Sequence, residues 1–483
     1  MPLFLLLFNF WLGLVAAVLS LTYVWYRRDQ AGKERARRVQ LVGSEADFAL
    51  MTAVHQSWAQ TMVQVGLARR PNGMHGLGDR RAYGMYRYRT EIQYNRLADG
   101  DRDFEVPQSQ VIGSSPVGPM LEVKMLLGQV VEEWVRVADR LANAWNVPSV
   151  GIVQVGPSLL RVTLVCRDPL ARTVGGQIPS PAEDLTKVSW GLTADGEELV
   201  LTLKDNAGMV FGAEPGGGKT ASLCALLVRL AQNPAVQFAV IDGKAGADYV
   251  WTEERAQFWL PTKDREAAAE VLRMYAAELD RRTAYFRALV TEWKRVGAPE
   301  GIDPPTSWWH SPPSAQFPLL VIVIDEAHVF VSGATTKEEK AQQEEVTELI
   351  ADLVARGRSV GMFTICATQK PTSDALPTKI SAKSSVRVAG RLVTSQSTVA
   401  TLGRSPNEGE PDPMLLPERP GMVVLDQEGS GRWVSGRTWY VPNSDLVRFG
   451  MTLGHLRTPL PEASDPIDEE FRHMTETNEK GTQ

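Results

Sequence analysis

Apolar residues in the second half of the chain form short, nearly continuous runs separated by longer amphipathic stretches. Short runs rich in Val, Ile and Leu favour parallel strands that crossover helices bury on both faces. The pattern therefore predicts an α/β domain with a doubly wound, mostly parallel sheet over residues 185–450. The expected strands fall within residues 196–203, 207–213, 237–243, 318–327, 361–369 and 386–393.

A smaller unit is predicted before this domain. Apolar positions between Gln129 and Trp145 recur at helical spacing, and two β-rich runs follow the helix. We expect a small α/β domain over residues 116–175, followed by a Gly- and Pro-rich linker.

Residues 27–115 have a less regular pattern and are assigned as a juxtamembrane region. Within it, residues 81–96 alternate like a strand and carry several tyrosines and arginines. These side chains would suit stacking on nucleic acid. An amphipathic strand beside an anionic membrane is the favoured interpretation.

Residues 1–26 contain no Asp, Glu, Lys or Arg. As a helix, the run from Leu3 to Tyr26 would reach roughly 36 Å, enough for a bilayer core of about 30 Å. The next twelve residues, RRDQAGKERARR, hold six basic and two acidic side chains. This flank predicts a single-pass anchor in the plasma membrane, with the N-terminus outside and the large domain in the cytoplasm.

Composition adds little to this picture except at the C-terminus. The net charge is −6, but seven acidic and two basic residues from Glu462 onward contribute −5 of it. The body is nearly neutral, which neither excludes nor indicates a nucleic-acid partner. Residues 451–483 are expected to form an acidic, disordered tail. The three widely spaced cysteines and six scattered histidines give no metal-ligand spacing, so the only metal we expect is one that accompanies a nucleotide.

A phosphate-binding motif follows the strand expected at residues 207–213. A strand, a Gly-rich turn and Gly-Lys-Thr at the start of a helix place backbone N–H groups and the helix dipole against phosphates. Ala213 stands where the motif's first glycine is usual, a position that needs only a small residue. We expect Lys219 to reach the β- and γ-phosphates of ATP and Thr220 to bind Mg²⁺. The expected nucleotide-binding residues of the loop are Ala213, Glu214, Pro215, Gly216, Gly217, Gly218, Lys219 and Thr220.

Two later strands end in polar residues that suit the same site. Asp325 is expected to hold Mg²⁺ and Glu326 to orient and deprotonate the attacking water. Gln369 ends the next strand, where it would contact the γ-phosphate or the water. The polar loop that follows bears Lys370, Lys379 and Lys383, which either bind DNA or belong to an ordinary surface loop.

These segments, in this order, resemble the FtsK/SpoIIIE family of DNA translocases from about Leu121 to Phe449. The resemblance is carried by several segments together: VADRLANAWNV, WGLTADGEELVLTLKDNAGMVFGAEPGGGKT, FAVIDGKAGADY, VLRMYAAELDRRTAYF, VIVIDEA, ARGRSVGMFTICATQKPT and SSVRVAGRLVTSQSTVATLG. It implies a RecA-like P-loop motor that assembles into hexamers, with nucleotides at subunit interfaces and double-stranded DNA in the central channel.

The resemblance also implies an arginine that acts on the neighbouring subunit's nucleotide. The matching position in GRSVGMFTICATQ is Arg358, while Arg356, Arg387 and Arg391 are alternatives. An arginine in that role accelerates hydrolysis by roughly 10³- to 10⁵-fold. Otherwise Arg358 would only cap or salt-bridge its own helix.

This sequence departs from the chromosome-segregating members of the family. We expect no orientation-reading winged helix in the short segment after Pro442, and a single predicted anchor in place of their multi-helix membrane domain. The layout is similar to conjugative plasmid translocators of actinobacteria and other Gram-positive mobile elements, which implies other conjugation proteins as partners. A type VII-like protein-secretion ATPase, a coupling protein for single strands and a chromosome translocase remain alternatives.

Overall fold

The computed structural model describes residues 39–69, 104–206, 208–298, 303–310, 317–407, 409–427 and 432–461. The chain divides into two units, residues 1–169 and 170–483. The predicted anchor at 1–26, the stretch 81–96 and the tail from residue 462 lie outside the described residues. Within the described ranges, no helix combines the length and apolarity needed to cross a bilayer.

The N-terminal unit is built from helices and an antiparallel sheet with strand order β1-β2-β4-β3. Its first helix begins where the Ser44 hydroxyl accepts a hydrogen bond from the Asp47 N–H (3.0 Å), and it ends at Gly66, whose φ is +84°. The elements are α1 (Glu45–Val65), β1 (Gln108–Ser115), β2 (Gly118–Lys124), α2 (Val131–Arg136), α3 (Ala138–Trp145), β3 (Ser149–Gly156) and β4 (Leu159–Val165).

Tryptophans from three helices form the centre of this unit's core. The rings of Trp58 and Trp145 stack at 5.6 Å with an interplanar angle of 12°, and Trp134 lies 6.5 Å from Trp58. Helix α1 and strand β1 therefore belong to the small domain, although the sequence pattern placed them in the juxtamembrane region. The predicted boundary between residues 115 and 116 falls inside the hairpin of β1 and β2.

The C-terminal unit contains a ten-stranded sheet with the order β6-β5-β14-β13-β12-β7-β11-β10-β8-β9. Its strands are β5 (Lys187–Thr193), β6 (Glu198–Thr202), β7 (Gly208–Gly212), β8 (Val236–Asp242), β9 (Phe258–Pro261), β10 (Leu319–Asp325), β11 (Met362–Thr368), β12 (Val386–Ala389), β13 (Met422–Gln427) and β14 (Val434–Thr438). Its helices are α4 (Lys219–Ala231), α5 (Arg265–Arg295), α6 (His328–Val331), α7 (Lys337–Val360), α8 (Thr378–Ser381), α9 (Ser395–Leu402) and α10 (Asn443–Gly450).

The six strands from β12 to β9 are parallel, and five of them were predicted from the apolar runs, whereas β9 was not. The predicted run at 196–203 forms β6, which is antiparallel to β5. Every residue of β7, β8, β10 and β11 is buried. Because successive side chains of a strand point to opposite faces, this burial means that both faces of the central sheet are covered. The carboxyl ends of these strands meet at one edge, which is where α/β sheets bind ligands.

Strands β5, β6, β13 and β14 form an antiparallel extension of the sheet beyond β12. Three hydrogen bonds join this extension to helix α4, one of them from the Arg229 guanidinium to the Ser189 carbonyl of β5 (2.6 Å). The Trp190 indole N–H of β5 donates to the Ser222 carbonyl (2.7 Å), and the Ser222 and Thr438 hydroxyls lie 2.6 Å apart. The helix that starts at the phosphate-binding loop is thus attached to the antiparallel extension as well as to the parallel sheet.

Residues 451–461 are ordered on the large domain, which differs from the expectation of a disordered tail starting at 451. The Gln237 and Gln257 side-chain amides donate to the carbonyls of Leu456 (2.8 Å) and Thr458 (2.7 Å). Leu453 is buried in the core as well. The acidic composition begins only at Glu462, so the apolar residues before it are free to pack.

Candidate nucleotide-binding site

The loop between β7 and α4 has the backbone that a phosphate-binding loop requires. Gly216 and Gly218 have φ values of +81° and +88°, a region that residues with a Cβ rarely adopt. The Gly217 N–H donates to the Glu214 carbonyl (3.0 Å), which closes the turn. Helix α4 begins at Lys219, so its free N–H groups and its dipole face the loop.

Ala213 fits this loop because of the residue opposite it. Its side chain is fully buried, and a Cβ built on Gly390 would lie only 2.6 Å from the Ala213 Cβ. Since Gly390 has no Cβ, the methyl group of Ala213 finds room. The replaced glycine of the motif is therefore compensated by a glycine at the end of the neighbouring strand β12.

Lys219 lies between the two predicted acidic residues at the end of β10. Its ammonium pairs with the Asp325 carboxylate and lies 3.3 Å from an oxygen of Glu326. All three residues are almost completely buried. The structure thus brings the lysine next to the metal-ligand candidate and the general-base candidate, which lie more than a hundred residues later in sequence.

Tyr249 is a further contact of Asp325. Its hydroxyl donates to the second oxygen of the Asp325 carboxylate (3.0 Å). Burial raises the pKa of Asp325, and the Lys219 charge and the Tyr249 hydrogen bond oppose that rise because they favour the ionised form. Burial likewise raises the pKa of the Tyr249 hydroxyl well above its ordinary value, so it remains a donor.

Glu326 is held by several groups at once. It has a φ of +50°, which is unusual for a residue with a side chain, and its carboxylate accepts from the Gln369 N–H (3.0 Å). His328 Nδ1 lies 3.2 Å from the same oxygen. Burial alone would raise the pKa of Glu326, but His328, Lys219 and the Gln369 N–H together lower it to about 2.

His328 and Thr368 connect the ends of β10 and β11. The His328 ring nitrogen lies 3.1 Å from the Thr368 hydroxyl, which accepts from the Lys370 N–H (3.0 Å). Sequence reasoning missed Tyr249, His328 and Thr368. A polar residue at a strand end was a usable signal for Thr368, and the DEAH run 325–328 was one for His328, whereas nothing in the pattern linked Tyr249 to Asp325.

The predicted Gln369 lines a cleft beside the loop. The cleft has a volume of about 360 Å³ and is bordered by residues that include Glu214, His328, Gln369, Lys370 and Asp374. Thr220 lies in the first turn of α4 and is partly exposed. P-loop proteins bind the phosphates of a nucleoside triphosphate through backbone N–H groups and a lysine, and they bind Mg²⁺ through a threonine hydroxyl and an aspartate. The loop, Lys219, Thr220 and Asp325 supply these groups here. The residues present therefore fit ATP and its magnesium ion.

Arg358 does not lie near this constellation. It is exposed in the last turn of α7, just before β11, whereas Gln369 follows the other end of that strand. At about 3.3 Å per residue, the seven residues of β11 separate the two edges of the sheet by about 20 Å. Arg358 therefore lies away from the phosphate-binding loop of its own chain.

The three alternative arginines have other contacts. Arg356 pairs with Asp280 and with Asp352 (2.8 Å), which raise the pKa of its guanidinium. Arg387 donates to the Ser381 carbonyl (2.6 Å). Arg391 follows β12 and pairs with Glu418 (2.5 Å), while its carbonyl accepts from the Glu214 N–H of the loop (3.1 Å).

The three lysines after Gln369 have different environments. Lys370 is exposed and borders the cleft. The Lys379 ammonium pairs with the carboxylates of Glu344 and Glu348 on α7, which raise its pKa. Lys383 is exposed, and its ammonium lies 3.5 Å from the Ala351 carbonyl. Of the three, only Lys379 has its charge compensated by two carboxylates.

Two family models match the chain in succession. The FtsK/SpoIIIE family model matches residues 181–373, which contain the loop, Asp325, Glu326 and Gln369. The model of the actinomycete conjugal transfer protein N-terminal domain matches residues 41–166, which include α1 and all of β1 to β4.

Similar curated proteins are DNA translocases named FtsK. The chain is 24% identical over 334 residues to DNA translocase FtsK 2 of Ralstonia nicotianae, covering 62% of this chain and 41% of that protein. It is 25% identical over 339 residues to DNA translocase FtsK of Vibrio vulnificus, covering 64% and 34%. The chain thus spans well under half the length of these relatives.

Solved structures give weaker similarities. The pCW3 conjugation coupling protein TcpA, in a monomer form with ATPγS, is 16% identical with a TM-score of 0.49, over 73% of this chain and 94% of that chain. The cytoplasmic domain of the Thermomonospora curvata type VII secretion ATPase EccC is 21% identical with a TM-score of 0.44, over 60% and 33%. The chain therefore carries an FtsK/SpoIIIE-family ATPase domain at residues 181–373, which contain the phosphate-binding loop, Asp325 and Glu326, and before it, at residues 41–166, a domain of the actinomycete conjugal transfer type.

Proposed function

We propose that this protein is a membrane-anchored, ATP-driven translocase of double-stranded DNA that serves conjugative transfer of plasmid or mobile-element DNA. The observation that carries the proposal is the succession in one chain of a conjugal transfer domain and an FtsK/SpoIIIE domain with a complete set of P-loop residues. The Ralstonia and Vibrio relatives are named DNA translocases, which supports DNA as the substrate.

In this proposal, each part of the site has a separate task. The backbone N–H groups at the glycines of the loop, Gly216 to Gly218, and the Lys219 ammonium bind the triphosphate, and Thr220 and Asp325 hold the magnesium ion. Magnesium, when bound, neutralises charge on the phosphate oxygens. Glu326 accepts a proton from the attacking water, and Gln369 contacts the water or the γ-phosphate.

The proposed assembly is a ring of six copies on the cytoplasmic side of the plasma membrane, anchored by residues 1–26 with the N-terminus outside. Arg358 of one copy would complete the nucleotide site of the next and stabilise transition-state charge there. Its exposure and its distance from its own loop support this role. Double-stranded DNA would pass through the ring, held mainly through its phosphates.

The test uses the full chain in detergent micelles or nanodiscs. We expect ATP hydrolysis to rise when duplex DNA is added and a bound triplex strand to be displaced in an ATP-dependent way. Glu326→Gln should retain ATP binding and lose hydrolysis by about 10²- to 10⁴-fold. Hydrolysis that is indifferent to duplex DNA, without triplex displacement, would reject translocation. Stimulation by single strands alone would indicate a coupling protein, and stimulation by a secretion-signal peptide would indicate a protein-secretion ATPase.

A further inference from the structure

The C-terminal end of α7, which carries Arg358, is held by side chains from other elements. The last four carbonyl groups of a helix have no partners within the helix. Here the Arg358 carbonyl accepts from the indole N–H of Trp309 (3.0 Å). The carbonyls of Val360 and Gly361 accept from the Arg282 guanidinium at 2.9 and 3.4 Å.

Arg282 is itself rigidly placed. It is 2% exposed, and its Nε donates to the Glu278 carboxylate on the same helix (2.7 Å). Its guanidinium also lies over the ring of Phe317, 4.4 Å from the centroid. A buried cation with these contacts loses little further freedom, so it fixes the backbone just after Arg358.

The turn Trp308–His310 holds the other side of the helix end. Trp308 is buried, and its indole N–H donates to the Phe317 carbonyl (3.0 Å). A Cβ at Gly361 would lie 2.5 Å from the Trp308 ring, so this ring packs directly on the residue that ends α7. The perpendicular Trp309 ring, 4.8 Å from Trp308, then reaches the Arg358 carbonyl.

The Arg358 side chain contrasts with its fixed backbone. Within the part of the chain that the structure describes, its guanidinium has neither an ion pair nor a hydrogen bond, whereas Arg356 two residues earlier pairs with two aspartates. A fixed main chain that presents an uncommitted guanidinium is the arrangement that transition-state stabilisation favours, because little reorganisation is then needed.

We propose that Trp309 is a positioning residue for Arg358: its indole N–H fixes the main chain at Arg358 so that the guanidinium reaches the triphosphate bound by a second copy of the chain. This inference rests on the proposed action of Arg358 on the neighbouring copy. Trp309 touches no reacting atom and acts only through Arg358.

The first test is Trp309→Phe in the full chain, which keeps an aromatic ring and removes the N–H donor. Displacement of a catalytic group by about 1 Å costs on the order of 10²-fold in rate. We therefore expect kcat for ATP to fall about 10- to 100-fold, with KM and ring assembly unchanged. Trp259→Phe is the matched control, since the buried Trp259 N–H has no acceptor among the described residues. It should leave kcat unchanged.

Trp309→His is the second variant, because an imidazole Nε2–H lies at a similar distance from Cβ as the indole N–H. It should retain more turnover than Trp309→Phe. Three results would overturn the positioning role. They are an equal loss of turnover in both variants, a raised KM with unchanged kcat, and failure of Trp309→Phe to form rings.

Mixed assemblies separate this inference from the proposed function. In a ring that mixes Trp309→Phe with Lys219→Ala subunits, some sites combine an intact loop with an intact Arg358 face, so activity should exceed that of either variant alone. The reference is a ring that mixes Arg358→Ala subunits with Lys219→Ala subunits. Recovery in the reference but not with Trp309→Phe would reject only the role of Trp309. If neither mixture recovers, Arg358 does not act on the neighbouring copy, and the positioning role fails with it.

Discussion

The ammonium of Lys219 and the carboxylate of Asp325 form an ion pair in which both side chains are only 2% exposed. Lys219 begins helix α4, which follows β7, and Asp325 ends β10, a strand that β11 separates from β7 in the sheet. The pair joins the residue expected to bind phosphate to the residue expected to bind magnesium. Binding of Mg²⁺ and ATP would exchange this internal pair for a metal on Asp325 and a phosphate on Lys219.

Lys219→Ala should therefore affect stability as well as activity. Removing one partner of a buried ion pair leaves an uncompensated charge and costs about 3–5 kcal/mol. We expect loss of ATP hydrolysis and a lower urea midpoint. Adding Asp325→Asn to Lys219→Ala should restore part of the midpoint, because residue 325 is then neutral and only the Glu326 carboxylate still lacks the Lys219 charge. Identical urea midpoints for the wild type and Lys219→Ala would show that the ion pair does not stabilise the fold.

Tyr249→Phe removes the hydroxyl that donates to Asp325 while keeping the buried ring. Loss of a hydrogen bond to a charged group should destabilise the domain by about 1.5–3 kcal/mol. The freed carboxylate should also be less well oriented for a metal. We expect a higher Mg²⁺ concentration for half-maximal ATP hydrolysis. Tyr275→Phe, which removes a buried hydroxyl bonded to Gln257, controls for the general cost of such a loss. It should leave the Mg²⁺ dependence as it is.

The depressed pKa of Glu326 makes a prediction for acid unfolding. Its folded-state pKa of about 2 lies below the ordinary value of 4.5, so the ionised carboxylate stabilises the fold fully above about pH 4.5. That contribution, roughly 3 kcal/mol, is lost as the pH falls towards 2. Between pH 5 and 2.5, Glu326→Gln should lose stability less steeply than the wild type. The control is Glu253→Gln, at an exposed position, whose stability should depend on pH as that of the wild type does. If the stability of Glu326→Gln falls with pH as steeply as that of the wild type, the lowered pKa of Glu326 is refuted.

The packing of Ala213 against Gly390 can be tested by exchanging the two residues. Gly390→Ala should place two methyl carbons about 2.6 Å apart, which the structure must relieve by moving the loop. Overpacking of this kind costs about 1–3 kcal/mol and should weaken ATP binding. The double variant Ala213→Gly/Gly390→Ala should recover both the stability and the affinity. Measured ATP affinities that do not improve in the double variant would contradict the compensation.

Lys370 and Lys379 should differ in their contribution to DNA binding. Log affinity falls linearly with log salt concentration, and each phosphate contact adds about 0.9 to the slope. If Lys370 contacts DNA, Lys370→Ala should reduce the slope by about 1. Lys379→Ala should leave the slope unchanged, because Glu344 and Glu348 already neutralise this charge. The opposite order in a fluorescence anisotropy titration would place α8, and not the cleft, against DNA.

Much of the large domain could be predicted from the sequence because its signals are local. The runs at β7, β10 and β11 are continuous and apolar, and each ends in polar residues that the parallel sheet gathers at one edge. Lys219, Asp325 and Glu326 followed from that logic. Strands β5, β9, β13 and β14 were missed. The direction of β6 was wrong, because the pairing of a strand depends on contacts that its own sequence does not show.

The small domain was harder to predict for the same reason. Trp58 packs against Trp145, almost ninety residues later, so no window of sequence shows that α1 belongs to this core. Tyr249 illustrates the same limit at the site, since its contact with Asp325 exists only after β8 and β10 pair.

The hydrogen bonds from α4 to Trp190 and Thr438 give the antiparallel extension a mechanical role. Both contacts lie at Ser222, within one helical turn of Lys219, the residue expected to bind phosphate. Any tilt of α4 during the hydrolysis cycle would therefore pull on β5 and β14 directly, without passing through the parallel strands. The antiparallel side of the sheet, which β12 and the parallel strands separate from Asp325 and Glu326, would then move in step with the state of the nucleotide.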